Sequence, residues 1–390
     1  MLYKPGESEA QEELDAYDEA QRRNINIIEP RSDFGDLASL PRRDFLYGKH
    51  YLRGAVGATV ADGGLGKSSF VIAECIAMAT GKNLLGVAVP KPRSVFYLNL
   101  EDTADEIKRR VWAVCEHFGI DPAKELGNFR YQSGSDHPIV VAWMERGTLV
   151  MAENFHREFL FEGYDVVVFD PFVKTHRVNE NDNSAIDAVV GQFAKVAACC
   201  EVAVELVHHV RKPAAGPQFE SGVADSRGAS ALVNAARSVR VLNPMTEQEA
   251  QQAGVENRRV YFRANDGKSN YGPLEGAVWH QLTPVELPNG DSVAAVNAWK
   301  FPSAFDGVTT AHMTQVRGLA ADGEYRSDAQ SPLWIGEAVA EVLGLDAVDH
   351  KKRIRALLKV WIDTGVLKVE QRKDSTRRQR SYVVPGDWTD

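Results

Sequence analysis

The chain has 390 residues, of which 44% are hydrophobic and 25% charged, as in a globular protein large enough for two domains. Its net charge of −9 argues against a protein coated with nucleic acid over its whole surface. Charged residues such as Glu74 and Glu205 interrupt the apolar runs, so we expect no membrane-spanning helix and no membrane partner. The acidic N-terminus lacks the apolar run of a signal peptide, and we expect a cytoplasmic location.

Three regions follow one another along the chain. Residues 1–28 are polar and acidic, which predicts a flexible arm. In residues 29–304, runs rich in Val, Phe and Ile alternate with helix-period segments, which predicts an α/β domain with a twisted, mainly parallel sheet. Residues 283–293, TPVELPNGDSV, predict a hairpin that closes this domain. Residues 305–390 form the third region.

The segment ADGGLGKSS, residues 61–69, follows a predicted strand and opens a predicted helix. It matches the P-loop pattern G-x-x-x-x-G-K-[ST] except that Ala61 replaces the first glycine, and a methyl group is tolerated at a strand end. The pattern predicts that backbone N–H groups hold the phosphates of ATP, that Lys67 reaches the β- and γ-phosphates, and that Ser68 binds Mg²⁺. The predicted nucleotide-binding residues are Ala61, Gly63, Gly64, Leu65, Gly66, Lys67, Ser68 and Ser69.

Two further predicted strands end in acidic residues. The run DVVVFDP places Asp170 where a Walker B carboxylate would help to hold Mg²⁺. In YLNLEDTADEI, a capping box of Thr103 and Glu106 explains two polar residues and leaves Glu101 unexplained. We place Glu101 at the end of a strand next to the P-loop strand and interpret it as the general base that orients the attacking water. A plain surface glutamate is the alternative.

The strand VAVELVHH ends in His208 and His209. Because side chains alternate along a strand, only one of these histidines can face the nucleotide cleft, and the sequence does not say which. A sensor of the γ-phosphate and a hydrogen-bonded structural histidine are both open interpretations.

Residues 305–390 predict three helices, at about 309–321, 334–343 and 349–364, and two strands, 366–371 and 379–384. Residues 350–382 contain 11 Lys and Arg and 3 Asp and Glu, so this segment has a net charge of +8 and the rest of the chain a net charge of −17. The pattern predicts a winged helix-turn-helix that binds duplex DNA, with a protein-binding winged helix as the alternative. The predicted DNA-binding residues are Lys352, Arg355, Lys359, Arg372, Lys373, Arg377, Arg378 and Arg380.

A set of segments in this order, between about residues 45 and 275, resembles the RecA-like ATPases and most closely the RepA group of plasmid and phage hexameric replicative helicases. The segments are ADGGLGKSS, LNLED, VVVFDPFVKTHRVNENDNSAI, LVHHVRKP, DSRGASALVNAARSVRVL and GKSNYG. The resemblance implies a catalytic base at Glu101, a Walker B residue at Asp170, a sensor at His208 and His209, and an arginine finger at Arg237 offered to the neighbouring subunit. Arg227 and Lys268 are further candidates for contacts across the subunit boundary.

The resemblance also implies a homo-hexameric ring whose loops after Asp170 and His209 hold single-stranded DNA in the channel. These loops carry few basic and several acidic residues here, and the winged helix is an addition to the one-domain RepA type. We therefore expect an Mg-ATP-hydrolysing, DNA-dependent ring ATPase, a helicase or replication protein of a plasmid, phage or prophage. The alternatives are an ATP-switched DNA-binding adaptor, such as a helicase loader or regulator without processive unwinding, and a recombination or phage-defence ATPase.

Overall fold

The computed structural model describes residues 32–135, 137–152, 155, 163–210, 230–271, 276–374 and 377–388. The chain divides into two compact units, residues 1–43 and 44–390. In the described part of the smaller unit, Leu37–Ser39 form a 3-10 turn. The predicted arm, residues 1–28, lies outside the described residues.

The strands of the larger unit range from two to nine residues in length. In chain order they are Phe45–Tyr47 (β1), Tyr51–Leu52 (β2), Val56–Asp62 (β3), Val95–Asn99 (β4), Phe129–Ser133 (β5), Ala142–Glu145 (β6), Thr148–Met151 (β7), Val166–Asp170 (β8), His176–Arg177 (β9), Ala203–Val210 (β10), Ser238–Pro244 (β11), Tyr261–Ser269 (β12), Val278–Glu286 (β13), Ser292–Ala298 (β14), Leu367–Lys373 (β15) and Gln379–Pro385 (β16).

The α-helices of the larger unit range from four to 18 residues in length. In chain order they are Lys67–Thr80 (α1), Ala104–Phe118 (α2), Pro122–Glu125 (α3), Asn183–Cys200 (α4), Ser230–Ala235 (α5), Glu247–Ala253 (α6), Thr310–Asp322 (α7), Ile335–Leu343 (α8) and Lys351–Asp363 (α9). Short 3-10 helices span Phe172–Thr175 and Arg258–Val260. Within the described part of the chain, no helix combines the length and the apolar character needed to cross a membrane.

The central sheet has the spatial order β14-β13-β12-β11-β3-β10-β8-β4-β5. The strands from β11 to β5 pair in parallel, whereas β12, β13 and β14 pair antiparallel. The expected mixed α/β fold with a mainly parallel sheet is present, and β13 and β14 form the predicted closing hairpin. The sequence did not reveal that β12 runs antiparallel to β11. Pro244 pairs with Phe262, so the chain returns at the same end of the sheet without a crossover.

The parallel strands are buried on both faces. Val166 and Val168 of β8 face a hydrophobic cluster that includes α1 and α2, while Val167 and Phe169 face a second cluster that includes α4 and α5. This double burial explains why the strands appear in the sequence as continuous apolar runs. The carboxyl ends of β3, β4, β8 and β10 meet at one edge of the sheet, where α1 and α2 begin.

Residues 310–385 form three helices and the antiparallel pair β15–β16, each within two residues of its predicted bounds. Their apolar side chains make a third cluster, which includes Val339, Leu357 and Trp361. The guanidinium of Arg353 in α9 donates to the backbone carbonyl of Ala304 (3.1 Å) and thereby ties α9 to the preceding segment.

Candidate functional site

The P-loop turn connects β3 directly to α1. Gly64 has φ of +79° and Gly66 has φ of +90°, a region in which residues other than glycine are strained. A Cβ on Gly66 would also lie 3.0 Å from Leu282 Cδ2 of the closing hairpin. Ala61 lies inside β3, is fully buried and has no positive φ, so its methyl group packs without strain. The missing first glycine therefore does not disturb the turn.

Lys67, the first residue of α1, lies over this turn. Its Nζ donates to the backbone carbonyl of Asp62 (2.7 Å), and its side chain is nearly buried. Burial lowers the pKa of Lys67 to about 8, because loss of solvent disfavours the ammonium form, while Asp170, Asp62 and Glu101 oppose the shift. The amine is thus held beside the N-terminus of α1 with three acidic residues near it.

Asp170 ends β8 and is buried beside the P-loop helix. Tyr97 Oη donates to Asp170 Oδ2 (2.7 Å), and the Ser68 hydroxyl also bonds to this carboxyl group. Burial raises the pKa of Asp170, although these two hydrogen bonds act against the shift. Ser68 and Asp170, the two residues predicted to hold Mg²⁺, therefore lie together.

Glu101 lies just beyond the end of β4, in a turn that Asn99 holds. Asn99 Oδ1 accepts hydrogen bonds from the N–H groups of Glu101 (2.9 Å) and Asp102 (2.7 Å). The expectation that β4 neighbours the P-loop strand was wrong, since β8 and β10 lie between them. The β3–α1–β4 crossover spans the positions that these later strands fill, and the sheet edge still brings Glu101 to the same cavity as Lys67.

The two histidines at the end of β10 face opposite sides of the strand. His208 is 4% exposed and lies beside the ring of Phe172, with centroids 6.0 Å apart. Burial lowers its pKa to about 4, so it is neutral at pH 7. His209 is partly exposed, and its Nε2 lies 4.0 Å from Glu101 Oε2. The structure therefore places His209, and not His208, at the cavity.

The part of the cavity wall that α2 and the β13–β14 hairpin form was not anticipated from the sequence. The cavity has a volume of about 660 Å³ and extends from the P-loop to the β13–β14 hairpin. Arg109 Nε donates to Asp291 Oδ2 (2.7 Å) and so joins α2 to that hairpin. Arg110 Nε bonds to Glu106 (3.1 Å). A weak signal existed, because Arg109 and Arg110 lie two turns after Glu101 on the helix that Glu101 precedes.

The predicted capping box at the start of α2 is incomplete. Thr103 Oγ1 accepts from the N–H of Glu106 (3.3 Å), as a cap should. The Glu106 carboxylate bonds to Arg110 and lies 3.6 Å from Arg109, and does not return to the N-cap. Charge-assisted bonds to a guanidinium are stronger than a bond to a neutral N–H, which explains this choice.

Arg237 and Lys268 lie away from the chain's own P-loop. Arg237 is exposed immediately before β11, and its N–H donates to the carbonyl of Val56 at the start of β3 (2.8 Å). The length of β3 separates it from the P-loop by about 20 Å. Lys268 Nζ donates to three carbonyls at the end of α5, those of Val233, Asn234 and Ala236. Arg227 lies outside the described residues.

The basic residues predicted to bind DNA are all exposed on α9 and on the hairpin β15–β16. They are Lys352, Arg355, Lys359, Arg372, Lys373, Arg377, Arg378 and Arg380. Two of them have acidic partners in the hairpin: Arg372 bonds to Glu370 (2.7 Å), and Arg380 to Asp374 (3.4 Å). These pairs reduce the charge that the hairpin offers to a phosphate backbone.

Residues 26–215 match the family model of the AAA domain. The match supports a P-loop ATPase domain in this part of the chain. Its α/β sheet fits the RecA-like form of that fold, as the sequence predicted. Among solved structures, the chain is similar to the flagellar accessory protein FlaH from Methanocaldococcus jannaschii, at 13% identity and a TM-score of 0.40, over 63% of this chain and 91% of that chain.

A P-loop ATPase domain implies a nucleotide and usually Mg²⁺, and the residues of this ATPase domain fit both. Apart from its chain neighbours, no atom of the described residues lies within 4 Å of where a Cβ on Gly63 or Gly64 would be, so a phosphate can approach the backbone. The Ser68 hydroxyl and the Asp170 carboxylate are oxygen donors, which is the ligand type that Mg²⁺ prefers. Lys67 supplies the positive charge for the phosphates.

A buried ionic network lies behind the P-loop helix of this ATPase domain, and only part of it could be anticipated from the sequence. The guanidinium of Arg240 in β11 bonds to both carboxylate oxygens of Glu74 in α1 and donates to Thr59 Oγ1 (2.8 Å). Glu205 in β10 bonds to Thr59 and to His50 Nε2 (2.9 Å). Burial opposes the charge of Glu205, but His50 and Arg240 outweigh it and hold its pKa below the usual value.

We expect Arg240→Met to lower the free energy of unfolding by about 3 kcal/mol, because Glu74 would remain buried without its cation and Glu205 would keep only His50. Urea denaturation followed by circular dichroism would measure the loss. Arg258→Met is the matched control, since the ion pair of Arg258 with Glu247 is largely exposed and should cost less than about 1 kcal/mol. Equal losses in the two variants would contradict the assignment.

Proposed function

We propose that this chain is an Mg²⁺-dependent, DNA-stimulated ATPase that assembles as a homo-hexameric ring and works as a helicase or other replication protein of a plasmid, phage or prophage. The observation that supports ATP hydrolysis is one cavity lined by Lys67, Ser68, Glu101 and His209, with Asp170 bonded to Ser68 at its base. This set supplies a phosphate cradle, a metal site and a candidate base within one pocket.

Hydrolysis divides into binding and proton transfer. The N–H groups at the start of α1 and the Lys67 amine bind the β- and γ-phosphates, and Ser68 with Asp170 holds the metal. Mg²⁺ held by these two residues would neutralise charge on the phosphate oxygens. Glu101 orients a water molecule and accepts its proton as the water oxygen attacks the γ-phosphorus and ADP leaves. His209, beside Glu101, contacts the γ-phosphate and responds to its loss.

Ring assembly is proposed from the position of Arg237. This exposed arginine lies at the edge of the sheet opposite to the P-loop edge, so it does not reach its own nucleotide. In a ring, the same edge faces the neighbouring subunit, and a cation there can stabilise the charge of that subunit's transition state. Lys268 supports the segment before Arg237 through the end of α5, which is a positioning role rather than a contact with ATP.

DNA binding is proposed from residues 305–390. Three helices followed by an antiparallel hairpin fit a winged helix-turn-helix, in which α9 would enter the major groove and the hairpin would be the wing. Lys352, Arg355 and Lys359 lie exposed on α9, and Arg377 and Arg378 lie at the tip of the hairpin. Phosphates of duplex DNA are the expected partners of these side chains.

The test combines turnover with particle mass. We expect ATP turnover to rise when single-stranded DNA is added, and the mass to rise to that of a hexamer with a non-hydrolysable ATP analogue, because the finger reaches the ATP only in the ring. Phosphate release and light scattering after size exclusion would measure these two quantities. A monomer whose turnover ignores DNA would contradict the proposal.

One observation favours an ATP-switched adaptor as the second candidate. In the described segment after Asp170, Lys174 and Arg177 are offset by Glu180 and Asp182, so this predicted channel loop has little net positive charge. An adaptor would bind ATP and assemble, but would not translocate along a strand. Strand-displacement assays on forked DNA separate the two candidates.

A further inference from the structure

The segment before β8 forms a small sheet that the sequence did not reveal. Strands β6 and β7 are joined by Arg146 (φ +50°) and Gly147 (φ +84°), a two-residue turn with two positive φ values. Strand β9 pairs in parallel with β6, so that Ala142 lies beside His176 and Trp143 beside Arg177. The predicted channel loop after Asp170 is thus paired with the β6–β7 hairpin.

The two faces of this sheet differ. On one face Ala142 and His176 are buried, and Met151 packs against the hydrophobic cluster of α4. On the other face lie Trp143 and Val150, and neither belongs to any of the hydrophobic clusters formed by the described residues. Trp143 is partly exposed, so part of its ring surface stays accessible without contributing to these clusters.

The outer face and the tip carry positive charge beside that ring. Arg177 is exposed in direct pairing with Trp143, and Arg146 is exposed at the turn. Neither arginine has an ion pair among the residues that the structure describes. Glu145 is the acidic residue on this face. The conformation of the turn does not explain the arginine at position 146, because left-handed backbone favours Gly, Asn or Asp.

The sheet is connected to the catalytic edge over a short distance. The N–H of Val141 donates to the carbonyl of Thr175 (2.7 Å), which anchors the hairpin to the segment between Asp170 and β9. Lys174 precedes that residue, and its Nζ lies 4.0 Å from Glu101 Oε1. A ligand that moves β9 would therefore move the charge beside Glu101.

We propose that β6, β7 and β9 form a binding surface for a single nucleic-acid strand, with bases stacking on Trp143 and phosphates contacting Arg146 and Arg177. Stacking requires bases with an accessible ring face, which a single strand offers and a duplex does not. Two exposed guanidinium groups on the same small sheet suit the phosphates of the same strand. The proposal deepens the proposed function, because it gives the route by which DNA would stimulate Glu101.

The test uses the full chain, a fluorescent oligo-dT and two variants, Arg146→Gly with Arg177→Gln, and Trp143→Ser. Glycine suits the positive φ at position 146, so the turn is retained. We expect each variant to bind the strand about tenfold more weakly. The double variant should also lower the slope of log affinity against log salt by about 1.4, for two lost phosphate contacts. Turnover without DNA should stay at the wild-type value, and stimulation by DNA should fall.

Three further variants locate the effect. Lys124→Gln removes an exposed cation elsewhere on the domain and should bind oligo-dT like the wild type. Lys352→Gln, Arg355→Gln and Lys359→Gln together should weaken duplex binding and leave oligo-dT binding intact. Trp143→Phe should retain most of the affinity, since it keeps a ring.

Several results would overturn the inference. The surface does not bind a single strand if both hairpin variants keep the affinity and salt slope of the wild type. The same conclusion follows if the wild type does not bind oligo-dT. A loss of particle mass without a loss of strand affinity would make this face a contact between subunits. In all these cases ATP turnover would persist, whereas a wild-type chain without ATPase activity would refute the proposed function itself.

Discussion

Glu101→Gln is expected to lower ATP turnover about 10²–10⁴-fold and to leave ATP affinity near the wild-type value. Glutamine keeps the size and hydrogen-bonding reach of the side chain but cannot accept the proton of the attacking water. Lys67, Ser68 and Asp170, which bind the phosphates and metal, are untouched. Phosphate release at saturating ATP, together with titration of a fluorescent ATP analogue, would measure both quantities.

Glu106→Gln is the control for this experiment. Glu106 lines the same cavity, but its carboxylate is engaged with Arg109 and Arg110, so it is not available as a base. We expect its turnover to stay close to wild type. Unchanged turnover in Glu101→Gln, or equal losses in the two variants, would remove Glu101 from its catalytic role.

The parts of this site that the sequence predicts are those encoded by local patterns. The P-loop turn needs only its glycines, Lys67 and the strand and helix on either side, all within one short segment. Asp170 at the end of an apolar run is similarly local. The helices of residues 310–363 follow from an apolar stripe of period 3.6 and a glycine after the last turn. Interactions between near neighbours decide these features, so no knowledge of the whole fold is required.

The parts that the sequence does not predict depend on pairing between distant segments. Whether His208 or His209 faces the cavity depends on the register of β10 against β3, because a shift by one residue would exchange them. Arg109 meets Asp291 across 182 positions of the chain, and the position of β4 in the sheet depends on which strands fill the gap later. Glu74 and Glu205 were visible as acids in apolar runs, but their shared partner Arg240 was not.

The wrong expectation about the position of β4 and the unforeseen direction of β12 have the same origin. Both concern the order and direction of strands, and a run such as YLNL or VYFRA has the same hydrophobicity in either direction. The prediction of the site does not depend on the order of the strands, since every parallel strand of the central sheet ends at this edge. This is why Glu101 reaches the cavity even though its strand lies three places from β3.

Arg237→Ala is expected to lower the turnover of the assembled protein about 10³-fold, with ATP affinity little changed, because a finger acts on the transition state. Lys67→Ala should be equally inactive, since it removes the phosphate contact. The two variants differ in what they retain: the first keeps a complete P-loop, and the second keeps its arginine.

Mixing these two variants tests whether the arginine acts across the subunit boundary. In a mixed ring, a complete P-loop of the first variant lies beside an intact Arg237 of the second, so activity should return in the mixture. Arg259→Ala, which changes another exposed arginine, should leave turnover unchanged and serves as the control. If the mixture assembles but remains as inactive as its two parents, Arg237 does not complete the ATP site of a neighbouring subunit. Its position at the opposite edge of the sheet also keeps it away from the ATP site of its own subunit.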